Sequence, residues 1–238
     1  MKVLFLFFLL LLKNISMSNN PTIVYLFPGL GSDERLFEKI KLDSNFQILH
    51  VKYPTPKRGA TMQEFAHEIS KQIDTTHKYI FIGVSLGGMI CCELEDYMKP
   101  EKTIIISSAK CRSELPFRYR FQKTIPLNKT IPKRMIKGGV QLLQPIVEPD
   151  RNKNKSVFKS MLKNKSPKYY KRTVNMIINW DRIKSNPSII SIHGTNDHTL
   201  PIKNINVNYK IDMGSHMMAL TRGEETNGLL LEILSIKK

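Results

Sequence analysis

Tyr79-Ile80-Phe81-Ile82-Gly83-Val84-Ser85-Leu86-Gly87-Gly88 runs from an apolar, β-rich segment into Met89-Ile90-Cys91-Cys92-Glu93-Leu94, which reads as a helix. The pattern is strand, sharp turn, helix, with Ser85 at the apex. A serine in a Gly-x-Ser-x-Gly turn of this kind sits in strained backbone, its hydroxyl exposed above the sheet edge. Gly83 and Gly87 keep side chains out of a place where neighbouring backbones approach closely. Taken alone, such a serine could be no more than a residue in a tight β–α turn. Its meaning depends on the rest of the chain.

Working outward, the same alternation recurs. Ile23-Val24-Tyr25-Leu26-Phe27 reads as a buried strand that ends at Pro28-Gly29-Leu30-Gly31-Ser32. Ser32 or Asp33 can cap a following helix that carries Leu36, Phe37 and Ile40. Phe46 to Val51 is a second strand. A helix is expected from about Thr61 to Asp74, with Met62, Phe65, Ile69 and Ile73 on one face. Pro100 is expected to end the helix after Ser85. Thr103 to Ser107 is the fourth strand, Ser188 to Ile192 the next and Ile205 to Ile211 the last. A closing helix carries Leu229, Leu230, Ile233 and Leu234. Strands alternating with helices predict an α/β fold: a mostly parallel sheet of about six strands, flanked by helices.

The alternation stops after Ser108. From Lys110 to Lys184 there is no clear strand, and three or four helices are expected. This segment holds 20 Lys and Arg against four acids, a net +16, whereas the whole chain carries +17. The expected organisation is therefore a near-neutral α/β core, residues 19–109 and 185–238, with a basic helical insertion over 110–184. Residues 1–18 stand apart. One lysine precedes ten apolar residues, Val3 to Leu12, the size of a signal-peptide core and too short for an ordinary membrane span. They fit either an export signal or an over-extended start, with Met17 as initiator and a cytoplasmic product.

Three cysteines, Cys91, Cys92 and Cys111, make no disulfide framework, and no Cys/His group has metal-ligand spacing. No cofactor and no metal are expected.

Three polar residues fall at the expected carboxyl ends of strands: Ser85, Asp197 and His216. Ligand-binding groups of open α/β sheets collect at that edge. Four motifs stand in order there: Phe27-Pro28-Gly29-Leu30-Gly31, Gly83-Val84-Ser85-Leu86-Gly87, His193-Gly194-Thr195-Asn196-Asp197 with Pro201 beyond it, and Gly214-Ser215-His216. On these motifs the chain resembles the α/β-hydrolase superfamily, in particular its small cofactor-independent esterase-like members, over residues 22–238. The resemblance implies a catalytic set of Ser85 as nucleophile, His216 as general base and Asp197 as its orienting acid. It also implies an oxyanion hole made by the backbone N–H groups of Leu30 and Leu86, and a cap formed by residues 110–184. Pro28 departs from the pattern, because many relatives have His-Gly where this chain has Pro28-Gly29. A serine at the turn, rather than an aspartate, argues against haloalkane-dehalogenase or epoxide-hydrolase chemistry.

Rival assignments are weaker. Asp181 precedes a strand instead of following one. His198 adjoins Asp197, and neighbours in sequence rarely form an acid–histidine pair. His193 reads as a structural residue of the strand-end turn. His50, His67 and His77 carry no pattern.

The expected activity is cleavage of a carboxylic ester or thioester through an acyl-enzyme on Ser85. The alternatives are lyase or carbon–carbon hydrolase chemistry on the same residues, or a non-catalytic protein binding anionic ligands or membrane surfaces. The expected partner is a small acyl substrate. The basic insertion, with Phe117-Arg118-Tyr119-Arg120-Phe121, would attract an anionic substrate or an anionic membrane surface. A solvated, lysine-rich surface competes with both. Nucleic acid is the weakest option, since no recognised nucleic-acid motif accompanies the charge. Leu142, Leu143, Ile146 and Val147 could line an acyl pocket, while Met161, Leu162, Met176, Ile177, Ile178 and Trp180 suit helices packed on the core.

Overall fold

The computed structural model of the chain describes residues 21–124, Glu148, Asp150 and residues 153–236. Residues 1–18, expected as a signal or an over-extended start, lie outside them. So do Leu142, Leu143, Ile146 and Val147, the expected acyl-pocket residues.

Six strands form one sheet: β1 (Thr22–Phe27), β2 (Phe46–His50), β3 (Tyr79–Val84), β4 (Lys102–Ile106), β5 (Ile190–Gly194) and β6 (Tyr209–Ile211). Their order is β2-β1-β3-β4-β5-β6, and every pairing is parallel. The side-chain period of two splits the apolar runs between two cores. Ile23, Tyr25, Phe27, Tyr79, Phe81 and Ile105 face one layer, which holds helices α1 (Met62–Ser70) and α2 (Leu86–Leu94). Val24, Leu26, Ile80, Ile82, Ile104 and Ile106 face the other. That layer holds the 3-10 turn Glu34–Phe37 and the two last helices, α6 (Met218–Thr221) and α7 (Gly223–Ser235). Burial on both faces explains why these strands read as continuous apolar runs.

The connections create a crevice. From β1 the chain moves outward to β2; from β3 it moves the other way, to β4. Phe27 pairs with Gly83, so the loop after β1 and the turn after β3 emerge side by side at a topological switch point.

Between β4 and β5 the described residues form three helices: α3 (Phe117–Thr124), α4 (Lys155–Lys163) and α5 (Pro167–Asn179). Met161, Leu162, Met176 and Trp180 are buried in the apolar clusters, Ile177 packs against one of them, and Ile178 is buried as well. A polar clamp fixes the end of this segment to α2 and to the turn that follows it. The Trp180 indole donates to Glu93 Oε1 at 2.7 Å, and Arg182 donates to both carboxylate oxygens of Asp96 at 2.5 and 2.8 Å.

Three elements differ from the expectation. The helix after β1 is only a single 3-10 turn. Asp33 caps it, accepting from the Arg35 N–H, and Leu36 and Phe37 are buried within it. Helix α2 stops at Leu94, well before Pro100, where its apolar face ends. The Glu95 side chain is drawn aside by Thr103, Asn186 and Ser188. Strand β6 begins at Tyr209, not Ile205. Just upstream, Asn208 accepts from the Ser191 N–H through its side chain, and the Asn206 N–H turns away to Glu114.

Candidate active site

The turn after β3 holds Ser85 at φ 53° and ψ −117°, a backbone region that side chains avoid. Three hydrogen bonds hold it there. The Ser85 N–H donates to Ile106 at 3.0 Å, while its carbonyl accepts from the Ser108 hydroxyl at 2.7 Å and the Met89 N–H at 3.2 Å. Close approach dictates Gly87: a Cβ there would lie 2.1 Å from the Phe27 carbonyl oxygen. The first turn of α2 is therefore pressed against the end of β1.

The loops after β5 and β6 are stitched to each other. The Asn196 N–H donates to the Gly214 carbonyl at 3.0 Å, and the Met213 N–H donates to Thr195 Oγ1 at 2.7 Å. A Cβ on Gly194 would meet the Gly214 carbonyl oxygen at 2.1 Å. This stitching brings Asp197 and His216 together from two strand ends.

The three side chains form one hydrogen-bonded line. His216 Nε2 lies 2.9 Å from Ser85 Oγ, and His216 Nδ1 lies 2.8 Å from Asp197 Oδ2. Because an ionised carboxylate only accepts, Nδ1 carries the proton and Nε2 is left as an acceptor for the serine hydroxyl. Asp197 is fully engaged. Its Oδ1 accepts from the N–H groups of Thr199 and Leu200, each at 2.8 Å. His193 Nε2 lies 3.2 Å from Asp197 Oδ2 and 2.8 Å from the Leu200 carbonyl.

Burial would raise the Asp197 pKa, but the charges and hydrogen bonds of His216 and His193 pull it well below the usual carboxylate range. Burial would likewise lower the His216 pKa. The Asp197 charge and hydrogen bond, helped by Glu148, outweigh burial and leave it above the ordinary 6.5. The arrangement is a serine hydroxyl facing an imidazole base, which a buried carboxylate holds in one tautomer.

Leu86 is the first residue of α2, so its N–H has no partner within the helix. Leu30 lies inside a turn closed by a hydrogen bond from the Ser32 N–H to the Gly29 carbonyl, at 3.1 Å. That turn abuts the serine, since a Cβ on Gly29 would lie 3.5 Å from Ser85 Cβ. The rival residues lie elsewhere in the hydrogen-bond network. His198 pairs with Asn196 at 2.9 Å, and Asp181 is exposed. Cys91, Cys92 and Cys111 are free and buried.

Two neighbours of the site escaped the sequence. His193 gives Asp197 a second imidazole, whereas it reads there as a turn residue only; its position four before Asp197 was the available signal. Glu148 is buried against the His216 segment and accepts from the Met217 N–H at 2.9 Å. Nothing local in the sequence marks it. Among the described residues, no group of three or more His, Cys, Asp or Glu could hold a metal ion, and no helix is long and apolar enough to cross a membrane.

No protein-family model and no curated protein matches the sequence. Solved structures do match over nearly the whole chain. The chain is similar to the enol-lactonase from Burkholderia xenovorans LB400, with a TM-score of 0.67, 16% identity and coverage of 91% of this chain and 92% of that one. A hydrolase from Pseudomonas aeruginosa PA01 gives 0.66 and 14%, covering 91% of both chains. A thermophilic esterase from Thermogutta terrifontis gives 0.64 and 13%, covering 90% of this chain and 89% of that one. With the six-stranded parallel sheet and its flanking helices, these likenesses define the class: the chain has the α/β-hydrolase fold.

Proposed function

We propose that this protein is a serine hydrolase that cleaves carboxylic esters or thioesters through an acyl-enzyme on Ser85. The observation that carries the proposal is the unbroken line from Ser85 Oγ through both nitrogens of His216 to Asp197. A serine hydroxyl is a poor nucleophile until a base removes its proton. His216 Nε2 takes that proton as Oγ bonds to the acyl carbon and the carbonyl electron pair moves onto oxygen. The N–H groups of Leu30 and Leu86 receive the resulting oxyanion. When the tetrahedral species collapses, His216 returns the proton to the leaving alcohol or thiol. Water, deprotonated by His216, then releases the acid from Ser85. Throughout, Asp197 keeps the imidazole in its reactive tautomer and stabilises its cation.

Fold neighbours described as an enol-lactonase and an esterase support hydrolysis of an ester-type bond. Arg118, on α3, donates to the His198 carbonyl at 2.9 Å and to the Thr199 carbonyl, and its charge acts on His216. A cation there favours acyl substrates that carry negative charge.

Turnover of p-nitrophenyl esters and acyl thioesters, each with neutral and carboxylate-bearing acyl chains, tests the proposal. Hydrolysis that disappears in Ser85→Ala is expected. Equal turnover by Ser85→Ala, or none by the wild-type protein across the panel, would refute it.

A further inference from the structure

Glu148 is a buried acid that the mechanism above does not use. Only 1% of its surface is exposed, and it lies about fifty positions before the acid that pairs with His216. Its Oε2 accepts from the Met217 N–H at 2.9 Å, and its Oε1 accepts from the Asp150 N–H at 3.3 Å. Met217 directly follows His216 in the chain. Backbone donors on both oxygens suit an ionised carboxylate. A charge removed from water is costly unless it is paired and hydrogen-bonded, and here both oxygens have backbone donors.

We propose that Glu148 is a positioning residue for His216: it anchors the Ser215–Met217 turn through the Met217 N–H and adds a second negative charge beside the imidazole. The proposal rests on the reading of Ser85 and His216 as nucleophile and base. It also ties the segment between β4 and β5 to the chemistry, because Glu148 belongs to that segment.

The groups around His216 act in both directions. Asp197 and Glu148 raise its pKa, whereas Arg118 and burial lower it. His193 touches the far side of Asp197, and Tyr119 lies close enough to feel the Asp197 charge. Beyond Glu148, Asp150 is paired with Lys153 at 3.2 Å and lies 3.7 Å from Arg222. Burial leaves the Glu148 pKa raised above the ordinary carboxylate value, and Ser215, His216 and the two backbone donors offset only part of that rise.

Glu148→Gln removes the charge and keeps an oxygen acceptor; Glu148→Ala removes both. In the full-length protein, the acidic limb of kcat/KM is expected to move to lower pH in Glu148→Gln. In Glu148→Ala the same displacement is expected with kcat about tenfold lower, the usual cost of one lost hydrogen bond. An acidic limb that stays in place in both variants would overturn the proposal, even if both lost stability. Titration of the His216 ring by NMR in a Ser85→Ala background gives a readout that needs no activity. A ring pKa that falls on adding Glu148→Gln supports the coupling even if the hydrolase reading fails; an unchanged ring pKa refutes the coupling alone.

Discussion

His216 Nε2 lies 2.9 Å from Ser85 Oγ, although 131 positions separate the two residues in the chain. Parallel topology closes that gap: β3 and β6 deliver both residues to the same edge of the sheet. If His216 works as a base only while Asp197 fixes its tautomer, then Asp197→Asn should lower kcat by about three to four orders of magnitude with little change in fold. Steady-state ester hydrolysis beside circular dichroism checks this. A loss of less than tenfold would mean that Asp197 has no such task.

The pH dependence has a definite sign. On the proposed mechanism the neutral imidazole is the competent form, and the folded protein holds the His216 pKa above 6.5. Activity should therefore fall as pH drops through a value above 6.5, and Asp197→Asn should move that acidic limb downward. The stability linkage has the opposite sign. A raised folded-state pKa contributes stability that is fully present below 6.5 and lost as pH rises through the folded value. Activity and stability profiles measured over the same pH range should thus move in opposite directions there.

Backbone strain at Ser85 can be read as stability. At φ 53° and ψ −117° a residue with a Cβ is strained, whereas glycine is not. Ser85→Gly should be more stable than Ser85→Ala by about 1 kcal/mol, after allowing for the greater freedom of glycine in the unfolded chain. Denaturant titration of the two variants gives the difference. Equal midpoints would mean that the turn carries no strain.

Gly87 is constrained by space alone. A methyl group 2.1 Å from the Phe27 carbonyl oxygen forces β1 and α2 apart. Gly87→Ala should cost about 1–3 kcal/mol. It should also slow ester turnover, since the Leu86 N–H sits in the same displaced turn. Thermal melts and kcat should fall together.

Arg182 anchors the segment between β4 and β5. Its side chain is 5% exposed, its two Asp96 contacts are short, and Glu93 lies 3.9 Å away with only 2% exposure. Arg182→Met leaves Glu93 buried without its cation and should cost roughly 3 kcal/mol. The double variant Arg182→Met with Glu93→Gln should recover part of that loss. No recovery would show that the Asp96 contacts alone carry the effect.

Much of this fold is legible in the sequence because burial on both faces leaves continuous apolar runs. Tyr79 to Val84 is bounded in the sequence as it is in the structure, and Lys102–Ile106 is displaced by a single residue. Ser85, Asp197 and His216 are legible as strand-end residues because parallel strands deliver their ends to one edge. What escapes is set by contacts far apart in the chain. Residues Ile205 to Asn208 have the pattern of a strand, yet Asn208 and Glu114 capture the hydrogen bonds that would extend the ladder. The Leu36–Ile40 pattern suits a helix, but one 3-10 turn already buries Leu36 and Phe37. Glu148 meets the Met217 N–H, beside His216, only through tertiary packing, so no spacing rule could reveal it.

The central claim is that Ser85 is an activated nucleophile. Intact-mass spectrometry after treatment with a fluorophosphonate, under native conditions above pH 7, tests it most directly. One covalent adduct on Ser85 is expected, absent in Ser85→Ala, strongly slowed in His216→Ala and abolished by prior denaturation. A wild-type protein that stays unlabelled, or a Ser85→Ala variant labelled to the same extent, would contradict the account.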